Sequence, residues 1–395
     1  MSDHAFPVRP LRLGKILGVA VLAGCTSVAP PPAPAPPAAP AVAAQPAVGP
    51  IVRARSRWVP VAFAELPGWD QDRLDETWPA LRQGCVRPAA AWEALCRQVL
   101  AMPAPPSAGD DASLRAWFEQ RMQAYRVEPL DGAPAEGLLT GYFEPQVAAA
   151  RQRGGAFKVP LYGPPADLAS RRPWWTRQQI DTLPAPQAAL RGREVAWVAD
   201  PLDALVLQVQ GSGRLALRAG KGGGDVQLVR AAYAGSNDQP YKSVGRWLIE
   251  QGELRPGEVS WPAIRAWAER NPRRVNELLW SNPRVVFFRE EALPDPALGP
   301  RGAQGVPLTP GRSIAVDPQS IPYGTPVWLA STEPLSSTPL RRLVMAQDTG
   351  SAITGAVRAD YFWGWGTEAE AQAGRMKQPL RLWVLWPKAL PLAPR

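Results

Sequence analysis

Apolar residues recur at three- and four-residue spacing through "DRLDETWPALRQGC", "AAWEALCRQVLAM" and "ASLRAWFEQRMQAYRV", which predicts helices from Trp69 to about Tyr125. The period then changes. "GLLTGYFEPQV" and "DALVLQVQGSGRLAL" read as strands, the second through the alternation of Leu205, Leu207 and Val209. "KSVGRWLIEQGEL", "WPAIRAWAERN" and "RRVNELLWSNP" read as helices, with Pro283 closing the last. In the C-terminal part "SIAVDP", "TPVWLA", "RRLVMAQD" and "LRLWVLWPK" are short β-rich runs divided by turn residues, as in a small barrel. The expected fold class is mainly β with a helical N-terminal part (α+β). No internal repeat of fixed period is visible.

Composition supports this picture: 47 prolines and 34 glycines in 395 residues favour short strands and many turns over helical bundles. The N-terminus changes it. Arg9, Arg12 and Lys15 precede the apolar run "ILGVAVLAG", and "LAGC" at Leu22 to Cys25 reads as a lipoprotein cleavage box. The run is too short for a spanning helix, so residues 1–24 are expected to be removed as a signal peptide and Cys25 to be lipidated; an uncleaved anchor is the alternative. Thr26, rather than Asp, follows the cysteine and suits an outer-membrane address. The Pro/Ala-rich stretch within 25–55 is a semi-rigid tether, and about twenty residues at about 3.1 Å each reach about 60 Å.

His4 is the chain's single histidine and lies in that leader, so the mature chain has no imidazole. This excludes Ser-His and Cys-His nucleophiles and His-based metal sites. Cys85 and Cys96 remain, and in an oxidising compartment they permit one intramolecular bridge; Cys96 sits in a helical run, which keeps free buried thiols open as the alternative. The net charge of +9 suits an anionic polymer such as cell wall, lipid or nucleic acid. The arginines are scattered, however, and no basic run interleaved with aromatics marks a nucleic-acid groove, so no nucleic-acid partner is expected.

The candidate chemistry lies in "AQDTGSAITGAVRADYFWGWG", residues 346 to 366. A strand ending at Asp348, a turn at Gly350 and a return through Gly355 to Asp360 would bring two carboxylates together. Close carboxylates push one another's pKa apart, leaving one protonated as an acid. Glycosidic bond cleavage and aspartyl-dyad proteolysis both need only carboxyls. "DTGS" is the aspartic-protease signature, but those enzymes need two copies and it occurs here once.

"AVDP", "IPYGTPVWL", "AQDTGSAI" and "ADYFWGWG" together resemble the domain named for its three aspartates, here Asp317, Asp348 and Asp360. Upstream, "LLTGYFEP", "VQVQGSGRL", "YKSVGRWL" and "NPRVVFF" are similar, in that order, to the membrane-bound lytic murein transglycosylase A family. The resemblance implies a double-psi β-barrel from residues 56–148 and 285–395, with a second β-rich domain at 149–284 inserted and the glycan in the groove between. It implies cleavage of the β-1,4 bond between N-acetylmuramic acid and N-acetylglucosamine by attack of the muramoyl C6 hydroxyl on C1, giving a 1,6-anhydro end. No metal or other cofactor is needed. By position in the motif Asp360 is the proton donor, Asp348 its hydrogen-bonding or electrostatic partner, and Asp317 a support of the fold.

Aromatic faces and planar amides suit a sugar, which makes Tyr142, Glu144, Gln208, Gln210, Ser212, Tyr241, Lys242 and Ser243 groove candidates. Gly211 and Gly213 would admit close backbone approach. The alternative for Tyr142 and the glutamines is domain packing, and Trp363 and Trp365 read equally as core or sugar platform. Two departures from the family pattern stand out: Glu144 where a smaller residue is common, and Ser351 for a frequent Gly. Peptidoglycan strands, outer-membrane lipid through Cys25 and cell-wall synthesis proteins are the implied partners, with a monomer expected. The competing readings are a non-catalytic expansin-like glycan-loosening module and a peptidoglycan hydrolase in which Asp348 activates water.

Overall fold

The computed structural model describes residues 49–102, 111–218, 226–293 and 295–388, so the leader, Cys25 and most of the tether lie outside the described residues. The strands are β1 (Ile51–Val52), β2 (Arg57–Val61), β3 (Met122–Glu128), β4 (Gly137–Glu144) and β5 (Gln146–Ala150). Then follow β6 (Val159–Tyr162), β7 (Glu194–Val198), β8 (Gly213–Arg218), β9 (Val226–Ser236) and β10 (Val286–Ala292). The C-terminal set is β11 (Ser313–Val316), β12 (Thr325–Thr332), β13 (Pro339–Asp348), β14 (Arg358–Trp365) and β15 (Lys377–Pro387).

One sheet runs β1-β2-β3-β15-β12-β13-β11-β14-β4, and β15 also pairs with β4. That last pairing closes β15, β12, β13, β11, β14 and β4 into a ring. The long strand β15 makes this possible by dividing one edge: Lys377–Leu380 lie against β4 and Trp383–Pro387 against β3. Within the ring β11 is parallel to β13 and β14 is parallel to β4; the remaining pairs are antiparallel. Closure leaves no ring strand with a bare edge.

Helices Trp78–Cys85, Glu93–Ala101 and Asp111–Arg121 cover the outside of the ring. Tryptophan is central to the contact: Trp69 meets Trp328 edge-on at 5.2 Å and Trp92 meets Trp386 at 5.4 Å between centroids. The buried Arg312 guanidinium reaches out from the ring to both oxygens of Asp72 at 2.8 and 3.0 Å. Thr77 Oγ1 donates to the Leu343 carbonyl at 2.8 Å. Cys85 and Cys96 are bridged, joining the first two helices.

The second sheet has the order β10-β9-β8-β5-β7-β6, with β5 parallel to β8. Only Pro145 separates the end of β4 from the start of β5, so the chain crosses from ring to second sheet over a single residue. Helices Val244–Glu250, Trp261–Arg270 and Val275–Ser281 pack beside the junction. Ser243 and Ser260 cap the first two by accepting the Arg246 and Ala263 N–H groups, the usual role of serine at that position.

Two expectations are corrected. The helix expected to reach Tyr125 ends at Arg121, and Met122–Glu128 is β3; strand pairing with β2 and β15 overrides the local periodicity. The run through Leu205, Leu207 and Val209 is a helix, Pro201–Gln210, rather than a strand. Asp200 caps it by accepting the Leu202 N–H at 2.8 Å, and Gly211 at φ 83° ends it. This helix buries Leu202, Leu205 and Val206 in one apolar cluster and Ala204 and Leu207 in another. Burial on two sides erases the single apolar stripe that marks a surface helix.

Removal of the bridge in a Cys85→Ala/Cys96→Ala variant frees a loop of 11 residues' separation and is expected to cost about 2–3 kcal/mol by chain entropy. Urea denaturation checks this; an unshifted midpoint contradicts it.

Candidate active site

Strand β11 lies between β13 and β14, and its Ala315 pairs with Asp348 on one side and with Asp360 on the other. Directly paired residues face the same side of a sheet, and neighbouring strands lie about 4.8 Å apart, so the two aspartate backbones stand about 10 Å from each other. The expected hairpin does not form, because a third strand comes between its arms. Both side chains nevertheless line one cavity of about 350 Å³, on the barrel face that looks toward the inserted sheet and its helices.

Each carboxylate has its own holder. Thr140, the β4 partner of Asp360, donates its hydroxyl to Asp360 Oδ1 at 2.6 Å. Arg358 Nη2 donates to the same threonine oxygen at 2.9 Å. Asp348 accepts the Tyr142 hydroxyl at 3.0 Å and the Ala303 N–H at 2.9 Å. The Tyr142 ring leans on Phe362, 5.2 Å between centroids.

Burial raises both carboxyl pKa values. It lifts Asp348 to about 6 against the lowering by the Thr349 and Ala303 N–H groups and the Tyr142 hydroxyl, with the charge of Asp360 a minor contribution. It lifts Asp360 against the opposing Thr140 hydroxyl and Arg358 charge. Desolvation rather than mutual repulsion therefore perturbs these acids, which corrects the expectation that closeness would do so.

The remaining candidates divide. Tyr142, Gln208, Gln210 and Tyr241 line the cavity with the two acids. The Gln208 and Gln210 amide oxygens accept from Arg177 Nη2 at 2.6 Å and the Phe143 N–H at 3.1 Å, so their amide N–H groups are what remains for a ligand. Gly211 and Ser212 line an adjoining lobe.

Glu144 is not a groove residue: its fully buried carboxylate takes Arg214 at 2.8 Å and Arg230 at 2.5 Å. Gly213 is also away from the cleft, where a Cβ would strike Leu207 Cδ2 at 2.0 Å and the Pro145 carbonyl at 2.9 Å. Ser243 caps a helix. Lys242 is exposed, its N–H held by Asn282 Oδ1 at 3.2 Å, and neither residue is on the cavity wall. Asp317 accepts the Gln319 and Gly355 N–H groups at 2.9 and 2.8 Å and fixes the turn between β13 and β14. Trp363 packs on Tyr361, and Trp365 lies 3.8 Å beneath the Arg214 guanidinium.

Thr140, Arg358, Asn282, Arg284 and Trp261 also line the cavity, and sequence reasoning gave them no role. Two were within reach of it. Thr140 precedes Tyr142 by two residues on β4, and Arg358 precedes Asp360 by two on β14, so each shares a face with a residue already singled out. The Ala303 N–H had no sequence signal, since any residue supplies one.

Residues 138–289 match the MltA specific insert domain and residues 312–386 match the 3D domain. Membrane-bound lytic murein transglycosylase A of Vibrio cholerae is 34% identical over 288 residues, covering 70% of this chain and 72% of the relative. The chain belongs to the membrane-bound lytic murein transglycosylase A family. Two solved structures with this fold are similar. Lytic transglycosylase LtgG of Burkholderia pseudomallei is 46% identical with a TM-score of 0.59, covering 87% of this chain and 99% of that one. Escherichia coli MltA with bound chitohexaose is 28% identical with a TM-score of 0.60, covering 84% and 91%.

The site geometry of this family member yields two expectations. Folded Asp348 holds its proton to about pH 6, whereas an unfolded Asp releases it near 3.9. Folding stability is thus greatest below about pH 4 on this account and falls by about 3 kcal/mol as pH rises from about 4 through 6. Asp348→Asn should flatten that slope in denaturation curves from pH 4 to 7; an unchanged slope contradicts the assignment. Glu144→Gln leaves two buried guanidinium groups undercompensated and should cost about 3–5 kcal/mol in urea denaturation; a loss below 1 kcal/mol would place Glu144 outside the buried cluster.

Proposed function

We propose that this chain cleaves peptidoglycan as a lytic transglycosylase, at the β-1,4 bond between N-acetylmuramic acid and N-acetylglucosamine, with Asp360 acting first as acid and then as base. The observation that carries this reading is the state of Asp360. Its carboxyl lines a groove between the barrel and the inserted sheet, burial raises its pKa, and Arg358 is directed to Thr140 rather than forked on the carboxylate. The bound chitohexaose in the Escherichia coli relative supports a saccharide as occupant.

The reaction balances on one carboxyl. Asp360 gives its proton to the glycosidic oxygen as the C1–O4 bond breaks, and positive charge develops at C1 and the ring oxygen. The muramoyl O6 then bonds to C1, and the Asp360 carboxylate takes the O6 proton, which restores the acid. Thr140 fixes the carboxyl orientation. Asp348, above its pKa at neutral pH, supplies negative potential toward the developing cation. Tyr142 and the Gln208 and Gln210 amides line the wall against which a sugar ring would lie.

The reading extends to placement. A lipidated Cys25 and the Pro/Ala tether would hold the enzyme at the outer membrane within reach of the wall; among the described residues no helix is long and apolar enough to cross a membrane. The barrel, as a double-psi barrel formed by residues 56–148 and 285–395, carries the acid, and the insert at 149–284 supplies the opposite bank.

Digestion of purified sacculi tests the chemistry. Released fragments should carry reducing ends lighter by one water than hydrolysed ends. Asp360→Asn should lower release by roughly 10³-fold while sacculus binding persists. Hydrated ends would establish the hydrolase instead, absence of fragments the glycan-loosening module, and full activity of Asp360→Asn would remove Asp360 from the acid role.

A further inference from the structure

Past Tyr142 and Asp348 the groove opens into a second lobe of about 650 Å³, which shares Tyr142, Gln210, Arg284, Asp348 and Gly350 with the first. Its lining is different in kind. Arg87, Arg284, Arg289 and Arg301 all border it, against Glu291 and the shared Asp348. Among the described residues only Arg289 of these four has a carboxylate at ion-pair distance, in Glu291. Arg284 donates to the Gln239 carbonyl at 3.1 Å and Arg301 to the Gly305 carbonyl at 3.1 Å, which leaves their charge uncompensated. Arg87 lies against the turn at Gly305, where φ is 82° and a Cβ would meet its Nη1 at 2.6 Å. Only a residue without a side chain lets the guanidinium take that place beside the lobe.

A chain of N-acetylated sugars is uncharged, so this cluster has no counterpart on the glycan backbone. Guanidinium groups gathered in a cleft select carboxylates, which they bind with two parallel hydrogen bonds, and the low-dielectric walls strengthen the field. In peptidoglycan the carboxylates belong to the peptide joined to the muramoyl lactyl group. We propose that the second lobe is a subsite for the carboxylates of that stem peptide, on a muramoyl residue adjoining the bond that is cleaved. The inference rests on the peptidoglycan reading and extends it to the substituent. The geometry also ties the subsite to the acids: the turn carrying Arg301 presents the Ala303 N–H to Asp348, so peptide and catalytic groups are held by one segment.

The test compares wild type with an Arg87→Gln/Arg301→Gln variant on peptide-bearing glycan strands and on the same strands with the stem-peptide carboxylates converted to carboxamides. The ratio of kcat/KM for free-carboxylate over amidated strands should fall about tenfold in the variant, and added salt should lower the wild-type ratio. A ratio unchanged by substitution overturns the subsite. Binding is measured in parallel by calorimetry, with a soluble N-acetylmuramoyl peptide as free carboxylate and as carboxamide. Wild type should favour the carboxylate form about tenfold and the variant should not; equal binding of both forms by wild type overturns the proposal. If wild type yields no anhydro ends from either strand, the transglycosylase reading fails, and the calorimetry still decides the lobe.

Discussion

Ala315 stands opposite Asp348 on one side and opposite Asp360 on the other, and the chemistry open to the cleft follows from that register. A shift of β11 by one residue against either neighbour would turn a carboxylate to the other face of the sheet. Ring closure prevents such a shift, because every strand in it is paired on both edges. The two acids are consequently near enough to border one cavity and far enough apart to titrate in separate surroundings. Each is governed by burial and by its own hydroxyl donor, Thr140 or Tyr142. This arrangement suits division of labour between a proton carrier and a charged companion better than a proton shared within a dyad.

The other constraint is the hinge at Pro145. Only Pro145 separates β4 from β5, and Glu144 joins the two sheets beside it, together with the apolar packing of Phe143, Ala369 and Ala373 on the insert's helices. The Glu144 carboxylate draws Arg214 of β8 and Arg230 of β9 to the end of a barrel strand. The same guanidinium groups donate to the carbonyls of Pro296 and Leu298 on the returning chain, and Arg214 is stacked on Trp365. Buried ion clusters contribute little net stability compared with apolar packing, but they tolerate few geometries. Here the cluster holds the end of β4, β8, β9 and the returning chain to one another.

How much of this was legible in the sequence depends on whether the deciding contact is local. The C-terminal strands could be read because alternation and turn residues are properties of neighbours along the chain. The helix Pro201–Gln210 was misread because burial on both sides mimics a strand. Glu144 reads from sequence as a groove residue because its partners lie 70 and 86 positions away, and nothing near it announces a buried cation pair. The 12-residue spacing of the aspartates suggested a hairpin, whereas the strand between them comes from earlier in the chain. Thr140 and Arg358 could have been found by following the two-residue period of β4 and β14 one step back.

Strand β15 ends at Pro387 and is the last strand among the described residues, yet it pairs with β3, β4 and β12. A polypeptide made N-terminus first therefore lacks a completed ring until β15 arrives. Before then β4 and β12 each have an open flank and the walls around Asp348 and Asp360 are unsupported. The two carboxyls sit on strands that come earlier in the chain, so the cavity they border is walled on all sides only when β15 is in place.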